Sequence, residues 1–314
     1  MAKPIRPLKN IQYLIEYLLV KWVGLAIQPL SALQVYRLGR WLGSVSYRLA
    51  SGRKKVALTN LDIAFGNSKS PQEKKRIVRR SFEQMVVSAL QCLWVLPAPS
   101  TRVVQLLEDA PMGLDILERC LSRNKGVFLC TAHYANWEVT GLQHGLLNAP
   151  PMYLITRRLD NPYLENLARQ FRTATGNGIF HKDDSPQKIV RALKNNSIVT
   201  VMMDQNTAVG GVFVDFFGKK AATARSVALL SHRMGTAIMV LSYLPTDKGT
   251  YRITYGPELP LEKSEDKKAD ILNWTQACVR ALESIIRENP EYWMWGHRRW
   301  KTRPPDEQEK PTYL

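Results

Sequence analysis

The sequence lacks the short motifs that identify most nucleotide-binding and metal-binding proteins. Its 314 residues contain no G-x-G-x-x-G turn, no Walker P-loop, no H-E-x-x-H helix and no zinc-finger spacing. Each of these motifs arranges backbone N–H groups or ligand atoms around a phosphate or a metal, so specific support for such sites is missing. The four cysteines form no C-x-x-C pair and stand mostly in apolar surroundings, which is typical of buried side chains in a reducing compartment. We therefore expect no metal and no other cofactor.

Acidic residues are scarce relative to basic ones. The chain has 27 Asp and Glu against 44 Lys and Arg, which gives a net charge of +17 and a pI near 9.8. Such an excess predicts attraction to an anionic partner: nucleic acid, phospholipid headgroups or an acidic protein. The mean hydropathy of -0.24 excludes a chain made mostly of membrane spans.

No apolar run of membrane-spanning length is free of charge. The stretch 11–30 has the length of a span but contains Glu16 and Lys21, and the apolar stretch 31–50 contains three arginines. Apolar helices with Trp, Tyr and Arg at their margins favour a bilayer interface, so we predict N-terminal membrane anchor helices over residues 1–50. A helical hairpin packed on the core is the alternative, and the pattern leaves open whether the segment spans the bilayer or lies in its interface. No small-residue cleavage site follows, so we expect no signal peptide.

The remaining chain predicts one α/β domain over 51–300, helical over 51–125 and with its α/β core over 126–300, followed by a flexible tail, 301–314. Short apolar runs at 127–131, 152–156, 197–203, 237–244 and 251–256 predict strands. Helices are predicted between or after them at 137–147, 161–175, 185–195, 222–234 and 266–288. This alternation is typical of a mainly parallel central sheet flanked by helices.

Polar side chains follow three of the predicted strands. His133 comes after the first, Arg157 after the second and Asp204 after the third. Because the carboxyl ends of parallel strands meet at one edge of the sheet, we expect these residues to share a site there.

The segment from His133 to Glu138 suits acid–base chemistry. A histidine can act as a general base near neutral pH, and a carboxylate that accepts from its other ring nitrogen fixes the tautomer. Positions five apart do not share a helix face, so His133 should precede a helix whose first turn carries Glu138. The alternative is a buried histidine beside a solvated glutamate. A nucleophile formed by Cys130 with His133 is disfavoured.

Four further features of the sequence suggest functional or structural roles. Arg157 and its neighbour Arg158 suit a phosphate or a solvated basic turn. The apolar segment 213–218, predicted as a loop, suits an acyl-chain wall or a core plug, and Thr223 suits a helix cap. The aromatic and basic run 292–301 is typical of a membrane interface, a phosphate site or a single-stranded nucleic-acid surface.

Five blocks, in order, carry a family resemblance: TAHYANWEVTG, TRRLDNPYLE, VMMDQN, GVFVDFFGKKAATA and PEYWMWGHRRWKTRP. With them, nearly the whole chain resembles the late acyltransferases of lipid A biosynthesis, of the lauroyl and myristoyl type, within the lysophospholipid acyltransferase superfamily. The family often has proline where this chain has Arg158 and Asp215. The resemblance implies a glycerol-3-phosphate acyltransferase-like fold.

The resemblance also implies a reaction. His133, supported by Glu138, would deprotonate a hydroxyl of a lipid A precursor, which would attack the thioester of an acyl–acyl carrier protein without a covalent acyl-enzyme. Asn136 and Trp137 would shape the site and Arg157 would bind phosphate. The other implied substrate-binding residues are Asn161, Asp204, Gln205, Phe216, Phe217, Gly218, Thr223 and Arg299. The enzyme would work on the cytoplasmic face of the inner membrane, with the bilayer, the lipid acceptor and the carrier protein as partners and without nucleic acid.

Two other functions remain open from sequence. One is an acyltransferase that uses acyl-CoA and a lysophospholipid, a glycolipid or an aminolipid. The other, which fits the ordered blocks poorly, is a non-enzymatic basic protein that binds membranes or nucleic acid.

Overall fold

The computed structural model describes residues 7–307 and 312–313. Residues 1–6 of the predicted anchor, and residues 308–311 and 314 of the predicted tail, lie outside the described residues. Tyr313, within that tail, donates a hydrogen bond from its hydroxyl to Asn60 Oδ1 at 2.6 Å.

In the described chain a run of helices comes first and is followed by a region that contains both strands and helices. The helices are α1 (Pro7–Ala26), α2 (Ala32–Leu49), α3 (Ser51–Phe65), α4 (Pro71–Val95), α5 (Pro99–Val104), α6 (Leu114–Leu121), α7 (Trp137–His144), α8 (Pro162–Thr173), α9 (Pro186–Lys194), α10 (Ser226–Met234) and α11 (Lys267–Glu288). The strands are β1 (Val127–Thr131), β2 (Met152–Thr156), β3 (Gly178–His181), β4 (Ile198–Met202), β5 (Gly211–Phe216), β6 (Lys219–Ala224), β7 (Ala237–Pro245) and β8 (Tyr251–Glu258).

The central sheet has six strands in the order β3-β2-β4-β1-β7-β8. The first five strands in this order are parallel, and β8 runs antiparallel to β7. Strand β1 is buried along its whole length, which explains its continuous apolar sequence. The predicted α/β class, with a mainly parallel sheet flanked by helices, is therefore confirmed.

A separate antiparallel hairpin, β5–β6, forms where the sequence predicted a loop and the start of a helix, so both predictions are wrong there. The segment 213–218, predicted as a loop, forms most of β5 and the turn after it, and residues 222–224, predicted as helix, belong to β6. The turn residues Phe217 and Gly218 have φ of 54° and 73°, the left-handed backbone that a two-residue hairpin turn requires. The sequence prediction also missed β3, a short strand at the sheet edge.

Helix α1 exposes a row of large apolar side chains. Leu18, Leu19, Trp22 and Leu25 are between 53% and 68% exposed. Within the described chain, no helix is both long enough and apolar enough to cross a bilayer. Glu16, the charge inside the apolar stretch, accepts a hydrogen bond from Asn161 Nδ2 at 2.9 Å, so it is turned toward α8.

Helices α2 and α4 pack closely through two glycines of α2. A Cβ added at Gly39 would lie 2.7 Å from Val87 Cα, and one added at Gly43 would lie 2.4 Å from Glu83 Cα. Only hydrogen at these positions lets the two backbones approach so closely. The helical layer over residues 32–95 therefore depends on backbone contact as well as on side-chain burial.

We expect Gly43→Ala to lower the free energy of unfolding by about 1–3 kcal/mol, because the new methyl group overlaps the backbone of α4. Urea denaturation followed by tryptophan fluorescence measures the change. Gly52→Ala is the matched control, since no atom lies within 4 Å of its added Cβ, and it should cost nothing. An unchanged unfolding curve for Gly43→Ala would contradict the close packing.

Candidate active site

The site lies where the adjacent strands β1 and β4 end. The register pairs Thr131 with Met202, so His133 and Asp204, each two residues further on, occupy matching positions beyond the two strands. Parallel pairing thus brings together two residues that are 71 positions apart in the sequence.

The Asp204 carboxylate accepts three hydrogen bonds at 2.8–2.9 Å. His133 donates two of them, from Nδ1 to Oδ1 and from its backbone N–H to Oδ2, and Trp293 Nε1 donates the third to Oδ2. The Asp204 side chain is 2% exposed, whereas that of His133 is 19% exposed. The imidazole is thus held through Nδ1, and the His133 side chain stays partly exposed to solvent.

The charge of Asp204 is stabilised by these contacts. Burial by itself raises the pKa of the carboxyl, but the His133 charge and the hydrogen bonds from His133 and Trp293 outweigh it and lower the pKa to about 2. The carboxylate is therefore ionised at neutral pH and keeps a proton on Nδ1. The Nε2 atom of a neutral His133 is then a hydrogen-bond acceptor.

Gln205 and Trp137 contact the other side of the imidazole. The Gln205 side-chain amide lies 3.1 Å from His133 Nε2. The Trp137 ring packs edge-on against the imidazole, with 5.2 Å between ring centroids. The structure therefore brings four of the predicted site residues, His133, Trp137, Asp204 and Gln205, into one group.

The sequence predicts a hydrogen bond between His133 and Glu138. In the structure Asp204, not Glu138, makes this contact with the imidazole. The Glu138 carboxylate instead accepts two hydrogen bonds from Arg172, at 2.8 Å from Nε and 2.6 Å from Nη2. Glu138 is in the first turn of α7, as predicted, but its side chain is turned toward the last turn of α8. Burial by itself lowers the pKa of Arg172, but the hydrogen bonds and charge of Glu138 outweigh it and raise that pKa.

Asn136 shapes the turn between His133 and α7 from a buried position. Its side chain caps α7 by accepting from Val139 N, and its Nδ2 donates to Gln91 Oε1 at 2.9 Å. The preceding residue, Ala135, has a φ of 47°, which is uncommon for a residue with a side chain. Its N–H donates to the Tyr292 carbonyl at 2.8 Å, so the C-terminal segment stabilises this unusual backbone.

Arg299 and Thr223 form a buried link behind Gln205. The Arg299 guanidinium donates to the Gln205 carbonyl at 3.1 Å, to the Ala222 carbonyl at 2.7 Å and to Thr223 Oγ1 at 2.6 Å. Burial lowers the pKa of Arg299 to about 10, although the charge of Asp204 acts in the opposite direction. The arginine is still protonated at neutral pH, and its contacts join the segment that follows β4 to β6. Thr223 lies in a strand rather than at a helix cap.

Phe216 and Phe217 belong to a buried aromatic cluster rather than to an open channel. They are 0% and 5% exposed. The Phe216 ring lies 5.6 Å from each of the rings of Trp293 and Trp300. Because Trp293 donates to Asp204, this cluster supports the site from behind, and Gly218 supplies the turn that places the two phenylalanines.

Arg157 and Asn161 lie in a different group, at the end of β2. The Arg157 side chain is 78% exposed, with Nη2 3.7 Å from Asp160 Oδ1. Asn161 is buried; it caps α8 and donates to the Tyr13 carbonyl of α1 at 2.9 Å. The structure thus brings Asn161 to α1 and leaves Arg157 exposed.

Sequence reasoning did not single out Trp293, Arg172 or His297. Trp293 and His297 stand in the aromatic and basic run that was recognised as a whole, but the indole contact with Asp204 depends on the fold. His297 Nε2 accepts from Asn206 N–H at 3.2 Å. Arg172 gives no local signal, since it is one of several arginines on an amphipathic helix.

Comparison with known proteins places the chain in a family. The profile of the family described as "bacterial lipid A biosynthesis acyltransferase" matches residues 5–302. The chain is 28% identical over 276 residues to a lipid A biosynthesis lauroyltransferase of Escherichia coli, covering 86% of each chain. It is 26% identical over 291 residues to the lipid A biosynthesis palmitoleoyltransferase of that organism, covering 90% of this chain and 91% of the other. It is also 28% identical over 209 residues to a phosphatidylinositol mannoside acyltransferase of Mycobacterium tuberculosis, covering 63% and 62%. The chain therefore belongs to the bacterial lipid A biosynthesis acyltransferase family and is an acyl-transferring enzyme.

Proposed function

We propose that the protein transfers a fatty acyl chain from an acyl thioester to a hydroxyl group of a lipid A precursor, with His133 as the general base. The observation that carries the proposal is the 2.9 Å contact between His133 Nδ1 and the ionised Asp204 carboxylate. It leaves Nε2, which lies 3.1 Å from the Gln205 amide, able to accept a proton. The names of the lauroyltransferase and palmitoleoyltransferase relatives support the choice of acceptor.

The proposed step is a direct acyl transfer. Nε2 of His133 takes the hydroxyl proton while the hydroxyl oxygen forms a bond to the thioester carbonyl carbon. The carbon–sulfur bond then breaks, and the thiolate leaves with the proton from the imidazolium, which gives an ester and a free thiol. Asp204 stabilises the transient imidazolium without itself being protonated. General base catalysis of this kind contributes about 10²–10⁴-fold in rate.

Gln205 occupies the space that the reacting hydroxyl has to enter, since its amide lies 3.1 Å from Nε2. The hydroxyl of the acceptor is therefore proposed to displace the Gln205 amide from the imidazole. Arg299 holds the Gln205 carbonyl, so the backbone stays in place while the side chain rotates. The displaced amide then remains beside the reacting oxygen atoms as a hydrogen-bond donor.

Glu138 keeps a proposed catalytic role, which it exerts through Arg172. The two side chains are 20% and 16% exposed and form a bidentate ion pair beside the site. A charge pair of this kind fixes α7 against α8, and α7 carries Trp137, which packs on the imidazole. Loss of either partner leaves the other charge poorly compensated.

The proposed donor is an acyl–acyl carrier protein. Such carriers are acidic, and the net charge of +17 favours their encounter with this chain. Acyl-CoA as donor, with a lysophospholipid, a glycolipid or an aminolipid as acceptor, is the second candidate function. The similarity to a phosphatidylinositol mannoside acyltransferase favours the glycolipid among these acceptors.

We also propose that α1 and α2 lie in the interface of the inner membrane, with the catalytic domain on its cytoplasmic face. The exposed apolar residues of α1 and the exposed Trp41 of α2 support this location. So does the charge of residues 1–60, which contain ten basic residues and one acidic residue.

Incubation of the purified protein with a lipid A precursor and labelled acyl–acyl carrier protein should yield acylated lipid, and acyl-CoA should react more slowly. His133→Ala should lower turnover by about 10²–10⁴-fold, since only the general base is lost. Mass spectrometry of the lipid product gives both results. Preferred acylation of a lysophospholipid or a mannosylated lipid would favour the second candidate function, and full activity of His133→Ala would refute the mechanism.

The two carboxylates should differ in their effects. Asp204→Asn should lower kcat about a thousandfold or more, because the imidazole loses its tautomer-fixing partner. Glu138→Gln and Arg172→Gln should each lower turnover. The turnover of the double variant should not be lower than that of the less active single variant, because all three variants lose the same ion pair. Steady-state kinetics and thermal unfolding are measured for each variant. If Arg172→Gln is fully active while Glu138→Gln is inactive, Glu138 acts directly on the reaction.

Leu18→Glu with Trp22→Glu should weaken binding to anionic phospholipid vesicles by about tenfold or more, because each change removes a large apolar side chain from the bilayer interface. Cosedimentation measures binding. Turnover of detergent-solubilised substrate should be preserved. Leu272→Glu, at a 41% exposed leucine of α11, is the matched control and should bind normally. Equal vesicle binding by the Leu18→Glu/Trp22→Glu variant and the Leu272→Glu variant would contradict the proposed location of α1.

A further inference from the structure

A cleft with basic walls lies beside the active site. It has a volume of about 880 Å³ between the α2–α3 corner and the C-terminal segment. Six of its lining residues carry the argument: Leu49, Arg53, Asn206, His297, Arg298 and Lys301. We call it the basic cleft.

The charge of the basic cleft is of one sign. Arg53, Arg298 and Lys301 line it, and no aspartate or glutamate does so among the described residues. Within the residues that the structure describes, none of these three cations forms an ion pair with a carboxylate. Arg53 Nη1 donates to the Gly296 carbonyl at 3.1 Å, which fixes that side chain across the cleft. Three cations without a carboxylate partner in a concave site favour a phosphate or another multiply charged anion.

The inner wall of the basic cleft is continuous with the catalytic group. Asn206 follows Gln205, whose amide contacts His133. The Asn206 side chain exchanges two hydrogen bonds with Thr302, at 3.0 and 3.1 Å, and its N–H donates to His297 Nε2. Because Nε2 of a neutral His297 is already an acceptor, its proton is on Nδ1. A headgroup held here would therefore lie next to the site of acyl transfer.

The outer wall of the basic cleft belongs to the apolar N-terminal helices. Leu49 lines the cleft and is 78% exposed at the end of α2, the helix that also exposes Trp41. The cleft volume is in the range of ligand sites and far below that of a folded protein. A lipid headgroup with its acyl chains in the bilayer fits this combination of an apolar margin and a cationic interior.

We propose that the basic cleft binds a phosphate group of the acceptor lipid and thereby presents the acceptor hydroxyl to His133. The inference rests on the proposed function, since it names the anionic part of the lipid that is acylated. The donor is the other possible source of phosphate, because the prosthetic group of a carrier protein and acyl-CoA both contain it. The test is designed to separate these sources.

The test compares a phosphorylated lipid A precursor with the same lipid after phosphatase treatment. The double variant Arg298→Gln/Lys301→Gln should raise KM for the phosphorylated lipid about tenfold or more, with kcat changed less than about twofold. It should leave KM for the dephosphorylated lipid and for the donor unchanged. Arg298 and Lys301 are both exposed, so the fold should tolerate the change.

The control removes two positive charges near the amino ends of the parallel strands, opposite the carboxyl ends that carry the site. Arg119→Gln/Lys263→Gln changes exposed residues that precede β1 and follow β8, and it should leave all KM values unchanged. If KM for the donor rises instead, the cleft binds the donor phosphate and the proposal is wrong. If both double variants weaken binding of both lipids equally, the effect is general electrostatic attraction, which also overturns it.

A binding measurement keeps this inference separate from the proposed function. The His133→Ala protein, with or without the double substitution, is titrated with detergent micelles that contain the phosphorylated or the dephosphorylated lipid. Tryptophan fluorescence reports binding. The double substitution should weaken binding only to the phosphorylated lipid, even if no acyl transfer to this lipid is found. Equal binding by both proteins would overturn the inference whatever the enzyme acylates.

Discussion

The contact between His133 and Asp204 is the interaction on which the site depends. A carboxylate that is 2% exposed would be costly in free energy unless its charge were matched by donors, and three hydrogen bonds and the imidazole supply that match. Both residues owe their positions to the parallel pairing of β1 with β4. A shift of this pairing by one residue would send one of the two side chains to the other face of the sheet. The chemistry therefore rests on the register of the most deeply buried part of the fold.

The sequence blocks that carry the family resemblance surround this contact, and most of their residues stabilise it rather than take part in it. Trp293 donates to Asp204 and is held in turn by Phe216, while Arg299 fixes the Gln205 backbone and Thr223. Several residues that the resemblance assigns to substrate binding are thus fully buried. A residue can be indispensable to a site without touching the substrate when it determines where the reacting group points. Block patterns alone do not separate these two roles.

The regular part of the fold could be predicted from sequence, because alternating apolar strands and amphipathic helices leave a periodic signal. The same signal placed His133 and Asp204 after strands whose carboxyl ends share one edge of the sheet. It did not show which carboxylate contacts the imidazole. Glu138 is closer along the chain, but the direction of its side chain in α7 and the position of Arg172 decide its partner. The buried Arg299 could not be predicted either, since arginines are usually exposed and its partners come from distant segments.

The distribution of charge suits the proposed access of two dissimilar substrates to His133. Arg172 and Arg299 lie inside the fold, where a carboxylate or carbonyl groups compensate their charge. The cations of the basic cleft face outward instead, and Leu49 belongs both to that cleft and to the exposed apolar surface. The proposed amphiphilic acceptor would therefore place its headgroup in the cleft while its chains stay in the proposed membrane interface. The proposed acidic donor would be attracted by the rest of the basic surface, so the two substrates would not have to compete for one route.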